Sequence, residues 1–528
     1  MSIIVIGSGI TGSNVALSLL EKGKNVELWD YGKIENLNTT NSNNFIDFKK
    51  NLNNSVESLI GKNDNQFPNP SDQKLFKIPP LRNFLLNKNE INREIDKLNN
   101  FDIYQSFNKG GLANGWGANC VPYNKNDIND WDLDQEDFFL SQKKIFKELN
   151  VSGIHDNINS NFDISNFGEE RPINLDERDN YFLKKFNQKH NFFKNENFEV
   201  GKARLAIKNS NTDDSCKLTS RCLWGCPQNA IYNPLHSTLQ KCEAFDNFTY
   251  FKNRKVSHFI LKNSKIVEIV FFEGSSQKIK KNDSKIFLCA GTIQSGTIFA
   301  KTCAKNNISL DKLATGLMDT KKVKLVYFLP KMLGKKIDYN SIQFNRLIGA
   351  MNEKYENKDE YIHLEFLHLN SLFYQPLINN LPLPLKLSKN IFYSLYSSLG
   401  VCTYFLPDTI NNHNKIKFTN DNKIEINYKE SKEKIDLDKK IEKRLKKYLL
   451  KMSAIPIKTI RYDPGAAIHY AGSIPMGKAD KFPVNSFGQV KFIENLVVAD
   501  ASIMPRLSSK PISVNAASLG DYIVNKNT

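Results

Sequence analysis

Three stretches of this sequence hold residues whose types and spacing could do chemistry. The first is Gly7-Ser8-Gly9-Ile10-Thr11-Gly12, a G-x-G-x-x-G turn. In such a turn Gly7 permits the tight bend, Gly9 lets backbone approach a pyrophosphate, and Gly12 allows a helix to pack closely on a strand. Asp30 follows at the distance where a carboxylate accepts hydrogen bonds from an adenosine ribose. The second stretch runs from Cys216 through Cys222 to Cys226-Pro227. These three thiols could bind an iron–sulfur cluster, and proline after the last cysteine is frequent in such runs. The missing fourth cysteine argues against an ordinary four-thiolate site but leaves a three-iron cluster open. The other reading is a set of buried thiols near a cofactor, since free cysteine is a common core residue. The third stretch starts at His469 and continues through Gly472-Ser473, Met476-Gly477, Asp500 and Lys510-Pro511. An imidazole titrates where a general base must work, although a lone histidine is more often structural.

Secondary structure must place these groups. Ile3-Ile4-Val5-Ile6 reads as a buried parallel strand, and Val15, Ala16, Leu19 and Leu20 recur at helical spacing up to a stop at Gly23. Val26–Trp29 gives the next strand. This strand–turn–helix–strand context makes the glycines a dinucleotide site rather than a bare turn, but does not separate FAD from NAD. Gly110, Gly111, Gly115 and Gly117 surround Asn114 and Trp116. They form either a backbone able to press on a planar ligand or a glycine-rich surface loop. Val256–Phe272 alternates as a hairpin, with turns near Asn263 and Gly274. Ile286–Cys289 is an apolar strand ending in Ala290-Gly291, with a helix from Thr292. Val256, Ala290 and Gly291 are taken as further cofactor contacts.

The remainder is coarser. Lys33 to Asn100 is rich in Asn and Lys, is broken by Pro68, Pro70, Pro79 and Pro80, and is read as an irregular excursion. Phe138–Leu149 and Leu437–Met452 read as amphipathic helices, the latter strongly basic with a solvated face. Val323–Leu329, Ile342–Met351, Tyr361–Leu369, Gly400–Leu406, Lys415–Phe418 and Lys423–Tyr428 suggest one large antiparallel sheet forming a wall of a substrate cavity. Leu372 to Leu399, rich in Leu, Phe, Tyr and Pro, reads as packing, with a lid, an interface or a membrane-touching loop as alternatives.

A chain of 528 residues has room for two or three domains. Its formal charge of +17 invites a nucleic-acid or membrane reading. The lysines are scattered and no Arg-rich stripe appears, so no nucleic acid is expected. Eight cysteines in this length do not make a disulfide scaffold. No signal-peptide pattern or transmembrane-length apolar run is present. The expectation is a cytoplasmic protein, with export or membrane association alongside a partner subunit as the alternative.

Four segments, Gly7–Asp30, Gly110–Trp131, Ser284–Ser295 and His469–Ile523, resemble the glucose–methanol–choline (GMC) oxidoreductases in type and order. The spacing of Cys216, Cys222 and Cys226, followed by Gln228-Asn229-Ala230-Ile231-Tyr232, is similar to bacterial FAD-dependent sugar dehydrogenase large subunits, which resemble pyranose oxidase in fold. The resemblance implies an α/β fold with a Rossmann-like FAD-binding domain over 1–33, 101–131, 210–305 and 456–528. It implies a substrate domain over 132–209 and 306–455, built on a large antiparallel sheet, with 34–100 as the excursion. The implied reaction is oxidation of a sugar or polyol CH–OH, with FAD as hydride acceptor and His469 as base. Gly7, Gly9, Gly12, Asp30, Gly110, Gly111, Asn114, Gly115, Val256, Ala290, Gly291, Asp500 and Pro511 would contact the cofactor, Asp500 at the ribityl chain. Gly115 stands about where some relatives link the flavin covalently, so non-covalent FAD is expected. A three-iron cluster on the three cysteines would pass electrons to an acceptor subunit. The second catalytic position, usually Asn or His before Pro, falls on Lys510, whose charge could lower the pKa of His469 if the two are close. Asn515 lies five residues on, inside the expected helix. The alternatives are oxidation of a hydrophobic alcohol or sterol, and a flavin-binding electron-transfer or catalytically degenerate subunit.

Overall fold

The structure is a computed structural model that describes residues 2–33, 80–86, 88–161, 170–310, 313, 315–336, 340–368, 382–419 and 423–528. Pro68, Pro70, Pro79, most of the 34–100 excursion and the first part of the apolar 372–399 stretch lie outside the described residues.

A five-stranded sheet carries the N-terminal motif. Its order is Leu496–Val498, Ile286–Leu288, Ile3–Ile6, Val26–Trp29 and Phe248–Phe251, all parallel. The first three strands in that order, with Val26, Leu28 and Trp29 of the next, are buried among apolar residues, as strands covered on both faces must be. The helices Ile10–Glu21 and Ile512–Asn527 pack on one another. The two ends of the chain therefore meet beside the same turn.

The second layer is a six-stranded antiparallel sheet ordered Ile455–Arg461, Lys321–Phe328, Leu399–Leu406, Lys358–His368, Leu347–Tyr355 and Phe198–Lys202. Its two faces differ. Val323, Leu325 and Tyr327 on one strand, Tyr404 and Leu406 on the next, and Leu364 and Phe366 beyond pack into a core with Leu437, Ile441, Leu445 and Tyr448 of the helix Lys432–Lys451. Because successive side chains alternate, Lys322, Lys324, Thr403, Phe405, His363 and Glu365 stand on the opposite face.

Four of the six strands expected in this sheet are in it. Lys415–Phe418 and Ile424–Asn427 instead join Ile95–Asn99 in a separate three-stranded sheet. Their places in the large sheet are taken by Phe198–Lys202 and Ile455–Arg461, distant in sequence from the other four. The described end of the excursion is regular, with a helix Lys88–Glu94 running into the strand Ile95–Asn99. Among the described residues no helix is long and apolar enough to cross a membrane.

Candidate active site

The glycine turn is built as its spacing requires. A Cβ on Gly7, at φ +102°, would fall 2.5 Å from the Cys289 carbonyl oxygen, and one on Gly12 would fall 1.9 Å from that of Gly7. A Cβ on Gly9 would meet nothing within 4 Å, so that backbone faces open space. The helix beginning at Ile10 has no side-chain cap, which leaves its first N–H groups for an anion. The Asp30 carboxylate accepts from the Ser8 hydroxyl, and its carboxyl is pushed up to about 7 by burial, against the Ser8 and Tyr250 hydrogen bonds. Ser8 in turn accepts the Gly110 N–H at 2.9 Å, joining the turn to the second glycine loop.

That loop is stapled by Asn114, whose amide donates to the Lys109 and Gly111 carbonyls at 2.8 and 3.0 Å and accepts from Asn233 at 2.6 Å. Gly111 lies against the Gly9 backbone, and Gly115 against Leu85. Val256 is buried in the strand Lys255–Lys262. Buried polar atoms without a partner sit on the segments meeting here: Asn14 Oδ1, Asn108 Oδ1, Arg254 Nη1 and Gln294 Oε1. The open glycine, the uncapped helix and these orphans suit a polar, phosphate-bearing cofactor such as FAD.

Ala290 and Gly291 lead into the helix Thr292–Lys305. Asp500 braces them. Its Oδ2 accepts from the Gly291 N–H at 2.9 Å and the Ser295 hydroxyl at 2.6 Å, and its Oδ1 from the Ser502 N–H and hydroxyl at 2.9 and 2.5 Å. The chain's own donors thus fill about four lone-pair sites of a carboxylate, so Asp500 braces the Gly291 turn.

Cys216, Cys222 and Cys226 are free thiols gathered in one apolar cluster, and Cys222 and Cys226 line a cavity with Arg82, Asn114 and Trp116. They do not converge on a point as ligands of a single ion would. Among the described residues only Asp176, Asp179 and His368 do, and Arg346 already pairs with both of those aspartates. A cluster, however, binds its cysteines through different irons. Burial raises the Cys216 and Cys222 thiols above the usual range, which opposes ligation. The Arg82 and Arg221 guanidiniums beside Cys226 and the Gln343 N–H on Cys222 Sγ at 3.5 Å favour negative sulfur. The three thiols thus lie together beside groups that stabilise negative sulfur.

His469 packs on the face of the large sheet opposite its helix-packed core. Its Nδ1 lies 3.2 Å from the Thr320 hydroxyl and its ring 5.3 Å from that of Phe405. Nε2 has no hydrogen-bond partner among the described residues. Ile468, immediately before it, is a β-branched residue at φ +61°. Such a backbone costs on the order of 1–3 kcal/mol and persists where surrounding structure enforces it. Burial brings the His469 imidazole down to about 4. Glu365 opposes this, and Lys322 and His363 add to it. The imidazole is therefore neutral at ordinary pH. In the tautomer in which Nδ1–H donates to the Thr320 hydroxyl, Nε2 carries the lone pair.

The cation that acts on His469 is Lys322, not Lys510. Lys510 is fully buried, its ammonium 2.5 Å from the Asp127 carboxylate and 4.7 Å from the centre of the Tyr361 ring. Asp127 also accepts from the Ser508 hydroxyl at 2.6 Å and the Asn124 N–H at 2.7 Å. A buried ammonium requires such a counter-ion, and satisfying it ties the loop holding Asp127 to the start of the C-terminal helix. Pro511 is the residue before that helix, and Asn515 spends its amide on Tyr123, Val121 and Pro511. The sequence motifs did not single out Lys322, Lys324, His363 and Glu365. The signal was present in Lys-Val-Lys-Leu-Val, which puts two charges on one face of a strand.

Residues 420–520 match the family model described as GMC oxidoreductase, C-terminal. No curated protein matches the chain. Among solved structures it is similar to pyridoxine 4-oxidase from Mesorbium loti, at 12% identity and a TM-score of 0.62, covering 99% of this chain and 98% of that one. It is also similar to formate oxidase from Aspergillus oryzae, at 13% identity and a TM-score of 0.63, covering 99% and 97%. That second structure is described in terms of modification of its FAD. Residues 420–520 thus carry the GMC oxidoreductase C-terminal pattern, and the fold that frames them is shared with pyridoxine 4-oxidase and formate oxidase.

Proposed function

We propose that this protein oxidises the CH–OH carbon of a polar, sugar- or polyol-like alcohol, with His469 as the base. The observation that carries the reading is an imidazole held neutral by burial, whose Nδ1 is anchored at Thr320 and whose Nε2 has no hydrogen-bond partner among the described residues. Bound FAD would supply the two-electron hydride acceptor. Gly9 and the first turn of the helix from Ile10 would hold its pyrophosphate, Asp30 its ribose, and the Gly110–Gly111 loop and the Gly291 turn its flavin half. His469 Nε2 would take the hydroxyl proton as the carbon loses hydride, leaving a carbonyl and an imidazolium that Glu365 stabilises. Phe405 keeps water from the ring, and Thr320 fixes its tautomer. Lys510, neutralised by Asp127, has no part in proton transfer. Cys216, Cys222 and Cys226 would hold an iron–sulfur cluster, which would supply an electron exit to a partner.

His469→Ala tests the base. Flavin should stay bound, and its anaerobic bleaching by a panel of alcohols should slow by roughly 10²–10⁴-fold. Unchanged bleaching in the variant removes His469 from the chemistry.

A further inference from the structure

We infer that the face of the six-stranded sheet opposite its helix-packed core is an oxyanion-binding wall, and that the alcohol oxidised here carries a carboxylate or phosphate held by Lys322 and Lys324. This rests on reading the space beside His469 as the substrate site.

Lysine pairing shows the contrast. Among the described residues the buried lysines all have carboxylate partners: Lys321 with Glu430 at 2.8 Å, Lys434 with Asp408 at 3.2 Å, Lys301 with Glu94 at 3.7 Å, and Lys510 with Asp127. Lys322 and Lys324 are half-buried on the same strand as Lys321, yet among the described residues neither ammonium has a hydrogen-bond or ion-pair partner. Aromatic faces lie near both, Phe405 at 5.8 Å from Lys322 and Tyr462 at 5.3 Å from Lys324, and the Glu365 and Asp319 carboxylates act on Lys322 without pairing with it. Desolvated ammoniums held beside each other without partners are costly. Burial and the neighbouring Lys324 bring Lys322 down to about 8 in spite of Glu365.

One carboxylate shares the wall, and it is already engaged. Glu365 accepts from the Asn119 amide at 2.6 Å and lies 3.6 Å from His363 Nε2. The face thus carries two cations against one committed anion, an excess that an oxyanion would neutralise through charge-assisted hydrogen bonds. Geometry gives the anion a reason to be part of the substrate. Lys322 pairs across the ladder with Phe405, the residue whose ring packs on His469, and Lys324 pairs with Thr403, one repeat of the pleat further away. A substrate reaching His469 with its alcohol would therefore present its far end to the two lysines. A sterol-like alcohol would cover both half-buried ammoniums without giving either a partner.

The test uses the flavin-loaded protein and three aromatic probes: benzoate, phenyl phosphate and benzyl alcohol. Binding is read from the perturbed flavin spectrum and from calorimetry. At least one oxyanion should bind roughly tenfold or more tighter than the neutral alcohol, and the tighter of the two identifies the group. Lys322→Met/Lys324→Met should erase the preference, and the arginine pair should keep it. Equal binding of all three probes by the unaltered protein overturns the proposal whether or not the variants fold. Lysine-dependent oxyanion binding with no alcohol bleaching the flavin, para-hydroxymethylbenzoate included, would leave the wall standing and sink the oxidation. Bleaching by neutral alcohols without oxyanion preference would do the reverse.

Discussion

The buried pair between Lys510 and Asp127 gives a quantitative handle on what the residue before Pro511 is for. Lys510 is 0% and Asp127 6% exposed. Lys510→Met fills the space but leaves Asp127 with only the Ser508 hydroxyl and the Asn124 N–H against its charge. Stranding a buried carboxylate in this way costs about 3–5 kcal/mol, and Asp127→Asn should cost a similar amount by stranding the ammonium. In the double variant neither charge remains. The Asn124 and Ser508 contacts keep an amide oxygen to meet, and the net loss should shrink to about 1–2 kcal/mol, the scale of one or two hydrogen bonds. Urea denaturation of the flavin-loaded proteins, followed by tryptophan fluorescence, measures all three. A single-variant cost below about 1 kcal/mol, or a double variant as unstable as the sum of the singles, would refute the account. Flavin bleaching on the same samples adds a second readout. A double variant that is stable, retains flavin and no longer bleaches would return Lys510 to the chemistry.

Other outcomes rest on the histidine, the glycines and the thiols. His469 takes a proton only near pH 4, against 6.5 for an ordinary histidine, so the acid limb of kcat/KM for a neutral alcohol should fall near pH 4. A midpoint at 6.5 contradicts the buried site. The same shift means the unfolded chain binds this proton first, so the contribution of His469 to stability is intact above pH 6.5 and declines as pH falls toward 4. Gly12→Ala places a Cβ 1.9 Å from the Gly7 carbonyl oxygen and should abolish FAD retention on gel filtration, whereas Gly9→Ala meets no protein atom and should fold, losing affinity for FAD alone. Cys222→Ser should remove iron from anaerobically purified protein without loss of flavin. Iron-free unaltered protein would mark the three cysteines as packing.

The cofactor turn is legible in the order of the residues. Strand, glycine turn, helix and acid are consecutive within the first thirty residues, and local sterics fix them. A Cβ at Gly12 collides with the Gly7 carbonyl oxygen of the same turn, whereas one at Gly7 collides with Cys289, which only strand pairing brings near. The four family-like segments, the C-terminal helix after Pro511 and most strands of the large sheet are readable for similar reasons, because alternation and helical spacing are local. The errors fall where pairing is long-range. Lys415–Phe418 and Ile424–Asn427 look like the sheet strands before them, and only packing against Ile95–Asn99 draws them away. Tertiary structure alone decides the electrostatics of the site. Lys510 and Lys322 are both lysines in apolar surroundings, yet Asp127, some 380 positions away in the chain, neutralises the first, while the second has no ion-pair partner among the described residues and acts on the histidine. Charge partners are chosen by proximity in space, and a sequence records only proximity along the chain.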